Sequence, residues 1–282
     1  MSQGADGQPP VFYLIERSTA LHILNEHIGY RLLPALGFLC TLILLDVFVK
    51  TQNGAAPALV SASLLLMTPL FTIYAAEARP YSPLTACLAI ALVCYQRTPA
   101  ASWVGGLFLS LLFASSLHYY AVFALFPFLL AELTVVYETR KVRFWVWLAL
   151  LAALVPLGIC WPLLMQAKQH FGAFFLAPVS LRTLPAVYAW YLGVAPAWGM
   201  ALVVAAVVAV LATFFPLTSQ PTDPKGLPVA SAADRVLVLG LTVLPMIGFI
   251  ATRFTHAPFL DRYFSASNLG DRRSHRLCAQ AG

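Results

Sequence analysis

Residues 119–165 read YYAVFALFPFLLAELTVVYETRKVRFWVWLALLAALVPLGICWPLLM. Two apolar runs, 119–137 and 144–165, flank the polar hexapeptide Glu138-Thr139-Arg140-Lys141-Val142-Arg143. A bilayer core of about 30 Å takes roughly 20 apolar residues as a helix, and both runs approach that length. Three basic residues between two such runs are what the positive-inside rule expects of a cytoplasmic connection. The stretch therefore reads as a membrane helical hairpin whose turn lies inside.

Working outward with the same ruler gives eight spans, at 32–49, 56–76, 82–95, 102–117, 119–137, 144–165, 197–217 and 236–252, the third and fourth being short. Composition agrees. Of 282 residues, 60% are apolar and 10% charged, with a mean hydropathy of +0.80. Soluble domains carry about 25% charged residues, and so few charges cannot cover a globular surface. Disordered and disulfide-stapled chains are excluded by the same composition. The expected fold class is all-α: a polytopic membrane bundle of about eight transmembrane helices. It forms one domain over 1–266, with 267–282 a polar, basic tail that is disordered or read in a shifted frame. Residues 1–10 are polar and lack a charged segment leading into an apolar core, so no signal peptide is expected. Cys40, Cys87, Cys94 and Cys160 sit within apolar runs and follow no metal spacing, as expected of small buried groups.

Alternation from the 138–143 connection places 50–55, 96–101 and 218–235 inside. Outside fall the N-terminal stretch, 77–81, the turn at His118, 166–196 and everything after Arg253. Arg17, Arg31, Arg79, Lys168, Arg182, Arg253 and Arg262 then lie on the translocated face, against the usual bias. Such a gathering points to an anionic ligand.

The outside turns hold the candidate chemistry. In Glu77-Ala78-Arg79-Pro80-Tyr81, Pro80 biases Arg79 away from helix, and Pro83 suits the first turn of the next one. Glu77 and Arg79 read either as an interfacial ion pair of little energy or as an Arg fork offered to a phosphate. In the second case Glu77 is an acid–base group or orients Arg79. Ser116-Leu117-His118-Tyr119-Tyr120 is a tight reversal whose His118 and tyrosines suit an aromatic belt and a sugar-stacking wall equally. Asp261-Arg262-Tyr263 follows the last span. The run Tyr188-Ala189-Trp190-Tyr191 is expected to lie in the interface plane. Asp46 and Glu132 lie near inner helix ends, where charge costs least, and form no proton relay. No internal repeat of the kind many transporters carry is visible, nor a Gly-rich phosphate loop, a His/Cys metal cluster or a nucleophile elbow.

Gly7-Gln8-Pro9-Pro10-Val11-Phe12-Tyr13-Leu14 with Tyr30-Arg31-Leu32-Leu33-Pro34-Ala35-Leu36-Gly37 resembles the hPPlyyLL…lR.pslLfG stretch of bacterial GT-C glycosyltransferases. These membrane enzymes are similar to protein O-mannosyltransferases and to the lipid A aminoarabinose transferase, and the lipopolysaccharide-core galacturonosyltransferase branch is the nearest pattern. Glu77-Ala78-Arg79-Pro80-Tyr81 is similar to that family's (s/r)xEaRxY element, Ser116–Tyr120 to its sHyy turn, and Arg262-Tyr263 to its late RY. The resemblance implies transfer of a sugar from a polyprenyl-phosphate donor to a lipid, glycan or protein acceptor. The site would face the periplasm from a bacterial inner membrane. It implies Arg79 and Arg262 on the donor phosphate, and Tyr81, His118, Tyr119 and Tyr263 against the substrate. Glu77 would be general base or orienting group. A divalent metal is left open, and no nucleic acid is expected.

The chain departs from that pattern in four places, one of them late: after Tyr263 the family continues into an apolar span, whereas 267–282 is polar and basic, so truncation is expected at both ends. The family's catalytic carboxylate lies in an acidic loop upstream of the proline stretch, which here begins at residue 7; Asp6 reads as a solvated terminal residue. Gln8 stands where His is common, and Glu16-Arg17 interrupts a stretch that is usually apolar. The expectation is a scaffold with donor-phosphate residues but without the family's base, lacking its first span. The alternative is a non-catalytic fragment or a transporter on the same scaffold.

Overall fold

The computed structural model describes residues 9–23, 25–171, 183–212, 231–246 and 249–250. All regular structure among them is helical: α1 (Pro10–His22), α2 (Glu26–Asn53), α3 (Ala55–Met67), α4 (Pro69–Ala76), α5 (Tyr81–Gln96), α6 (Ala101–Leu117), α7 (Ala121–Thr139), α8 (Phe144–Ala152), α9 (Val155–Ile159), α10 (Trp161–Phe171), α11 (Thr183–Leu192), α12 (Pro196–Ala212) and α13 (Ala232–Thr242). The all-α expectation holds. Two helices, α2 and α7, are long and apolar enough to cross a membrane. α5 and α6, at 16 and 17 residues, reach only about 24–26 Å at 1.5 Å per residue.

Local sequence sets the boundaries. Asn25 caps α2 by accepting the His27 and Ile28 N–H groups at 3.0 and 3.4 Å, and Glu26 places a negative charge in the first turn. Gly54, at φ +85°, ends it. The expected spans 56–76 and 144–165 are both broken. Pro69 has no N–H and drives Thr68 to φ −78°, ψ 114°, which separates α3 from α4. Thr68 fills the break itself: its N–H bonds Leu65 O at 3.1 Å and its hydroxyl bonds Leu64 O at 2.8 Å. Pro156 and Pro162, each near the start of a segment, accompany the division of 144–165 into α8, α9 and α10. A hydropathy window sees neither kind of interruption. The last two expected spans run partly, and the 267–282 tail wholly, outside the described residues.

α2 and α5 run parallel. Thr41 Oγ1 lies 3.2 Å from Thr85 Oγ1, and one end further along Gln96 bonds Phe48 O at 3.3 Å and Thr51 at 3.2 Å. The backbones touch at Gly37, where a Cβ would come within 2.7 Å of the Pro83 nitrogen and 2.8 Å of the Ser82 carbonyl carbon. Parallel α2 and α5 require α3–α4 to return between them. The start of α2, the 77–81 turn and the His118 turn therefore share one end of the bundle, and the 138–143 connection lies at the other. One apolar cluster, around Phe12, Cys87, Ala114, Leu117 and Ala121, serves the His118 end. A larger one, around Tyr95, Leu107, Leu111, Phe128, Val146, Leu150 and Leu237, joins α5, α6, α7, α8 and α13. Cys87 and Cys94 are buried thiols, as expected, whereas Cys40 and Cys160 are only half-buried.

Candidate functional site

At the His118 end, Glu77 caps α4 in extended conformation and Arg79 N–H returns to Glu77 O at 2.8 Å, making a tight turn. That turn brings Arg79 Nε to 3.2 Å from Glu77 Oε2, with the side chains 52% and 38% exposed. Arg79 also hydrogen-bonds the Tyr81 side chain. Burial by itself lowers the Arg79 pKa, but Tyr81, Glu77 and Tyr74 outweigh it and leave the guanidinium above its ordinary value. The Tyr81 ring centre lies 4.4 Å from that of Tyr74 and 5.7 Å from that of His118. His118 continues the row to Tyr120 at 5.7 Å, and Tyr120 stacks on Phe123 at 5.6 Å.

His118 follows α6 in extended conformation and is 2% exposed. The Tyr120 N–H donates to its Nδ1 at 3.1 Å, which assigns the ring proton to Nε2. Burial pushes its pKa down to about 3. The ring is therefore neutral at physiological pH and is not a cation for a phosphate.

Glu77, Arg79, Tyr81 and His118, read from two separate turns, thus form one continuous group. Tyr119 shares the His118 turn and is half-buried. Arg262 and Tyr263 lie outside the described residues. Tyr188 is not an interface anchor: it is buried, and its hydroxyl donates to Thr242 O at 3.0 Å, tying α11 to α13. A tyrosine in a helix face packed between neighbours is drawn inward, where its hydroxyl must find a partner.

Two further sites were not legible as such in the sequence. At the opposite end, Arg143 leaves the basic connection and turns into the bundle. Its Nε lies 3.2 Å from Glu132 Oε2, Nη2 ion-pairs Glu132 Oε1 and reaches Tyr95 Oη at 3.2 Å, and Nη1 donates to Thr98 Oγ1 at 2.8 Å. Glu132 has no exposed surface. This corrects the reading of Glu132 as a cheaply solvated charge, and of Arg143 as a loop charge like Arg140 and Lys141.

The other site is Glu16. Phe12, Glu16 and Ala20, four residues apart, form the buried face of α1. Phe12 packs beside Leu117 and Ala121, and Ala20 against Gly29 of α2. Glu16, 7% exposed, lies between them with Oε1 out of solvent and without a hydrogen-bond partner. It lines a cavity of about 400 Å³ between α1 and the start of α2, together with Tyr13, Arg17, Ala20, Leu21, Glu26 and Tyr30. The sequence marked Glu16-Arg17 only as an interruption.

Among the described residues no group of three or more His, Cys, Asp or Glu side chains is placed to hold a metal. No family model, curated protein or solved structure matches this chain.

Proposed function

We propose that the chain is a GT-C-like membrane glycosyltransferase of a bacterial inner membrane, built on about eight spans, with the His118 end facing the periplasm. The reading rests on its motif resemblance. The observation that supports it is the grouping of Glu77, Arg79, Tyr81 and His118 in one place from two turns of chain. A polyprenyl-phosphate donor brings its phosphate to the membrane surface, where a planar guanidinium can meet two of its oxygens. When the sugar leaves, charge grows on that phosphate, so Arg79 stabilises the transition state more than the ground state. Glu77 holds Arg79 through Nε and acts as its orienting group. Tyr81, half-buried, is the ring of the row left to stack on a sugar, with Tyr74 and neutral His118 buried behind it.

The test is transfer in vitro from a panel of polyprenyl-phosphate sugars by the full chain. Arg79→Ala should abolish transfer while membrane insertion is retained. Transfer at the wild-type rate in that variant would remove the phosphate role, and no transfer from any donor would leave the non-catalytic reading.

A further inference from the structure

We propose that the cavity between α1 and the start of α2 binds a primary ammonium group, carried by a small amine or a lipid headgroup, between Glu16 and Glu26. The argument is independent of glycosyl transfer. A buried carboxylate oxygen without a donor is costly; Glu16 holds Oε1 in that state and lines an open volume of about 400 Å³. That volume falls in the range of small-ligand sites, roughly 300–1,000 Å³. Its charged lining is two carboxylates and one guanidinium, and Arg17 makes no ion pair with either carboxylate. With both acids ionised the lining carries one net negative charge, which a monocation complements and an anion does not. Tyr13 and Tyr30 add aromatic faces that attract an ammonium. An ammonium also brings three donors to the carboxylate oxygens of Glu16 and Glu26.

The site is proton-linked. The groups facing Glu16 are Tyr13 and Arg17 on its own helix and Glu26 and Tyr30 from α2; α6, also packed on α1, has no titratable side chain. Burial raises the Glu16 carboxyl to about 7. If only its ionised form binds the ammonium, affinity should be about tenfold weaker at pH 6 than at pH 8.

The experiment is saturation-transfer NMR on the full chain in maltoside micelles, with ethanolamine as probe and isosteric, uncharged ethylene glycol as control. Saturable ethanolamine binding at pH 8, weakened about tenfold at pH 6 and at least as much by Glu16→Gln at pH 8, is the expected result. Arg79→Ala should leave it unchanged, which separates this site from the transfer reading. Competition by added phosphatidylethanolamine identifies a headgroup as occupant, and its absence identifies a soluble amine. Equal binding of ethylene glycol, or a wild-type affinity that does not change between pH 8 and pH 6, overturns the proposal without recourse to a variant.

Discussion

Arg143 meets both carboxylate oxygens of Glu132 from eleven positions further along the chain, and Glu132 has no surface of its own. The guanidinium is the N-cap residue of α8, the carboxylate sits inside α7, and Tyr95 and Thr98 add bonds from the end of α5. Three segments are locked by one side chain.

Removing Arg143 leaves a charge buried with no counter-ion. Arg143→Ala should destabilise the protein by about 3–5 kcal/mol, whereas replacing both partners, as Glu132→Leu with Arg143→Met, should cost far less. Thermal unfolding in detergent, followed by size-exclusion fluorescence, measures both. An Arg143→Ala protein as stable as wild type would show that the pair carries no structural weight.

His118 makes stability depend on acid. Its folded pKa lies below its unfolded one, so the unfolded chain binds the extra proton between them. The neutral-ring contribution is complete above about pH 6.5 and falls away as pH drops toward 3. By pH 5 about 2 kcal/mol should be lost. His118→Asn, which cannot titrate, should flatten this part of the curve of unfolding midpoint against pH. An unchanged slope would place the titrating group elsewhere.

Gly37 sets the spacing of α2 and α5. A methyl group there meets Pro83 and Ser82 backbone atoms at 2.7–2.9 Å, and backbone does not step aside as a flexible side chain does. Gly37→Ala should cost about 1–3 kcal/mol through overpacking, and Gly105→Ala, where nothing lies within 4 Å, should be close to neutral. Paired melting curves of the two variants give the comparison.

Much of the helical layout was legible in the chain. The expected 82–95 and 102–117 match α5 (Tyr81–Gln96) and α6 (Ala101–Leu117) to within a residue or so, because Pro80, Arg97, Pro99 and His118 punctuate apolar runs. The division of 56–76 escaped a reading based on hydropathy, since Pro69 is a backbone event inside an apolar stretch. Of the candidate site, residue types and turn positions were readable. That Tyr81 and His118 meet ring to ring was not, because it depends on the register of α5 against α6. Arg143 differs from Arg140 and Lys141 for a related reason: the positive-inside rule counts charges along the chain and is silent on where a long side chain ends. Glu16 is a lone acid in an apolar stretch of sequence, and the cavity it lines exists only because α2 lies alongside α1.

The Thr68–Pro69 break has one more effect. Threonine hydroxyls donate to carbonyls on both sides of it, Leu64 O through Thr68 and Pro69 O through Thr72 at 2.9 Å, so the helix ends that meet there are hydrogen-bonded by their own side chains. α4 carries Tyr74, a buried ring at one end of the row that runs through Tyr81 to His118. The placement of that eight-residue segment therefore fixes where the row begins, since the Tyr74–Tyr81 contact has no other source on α4.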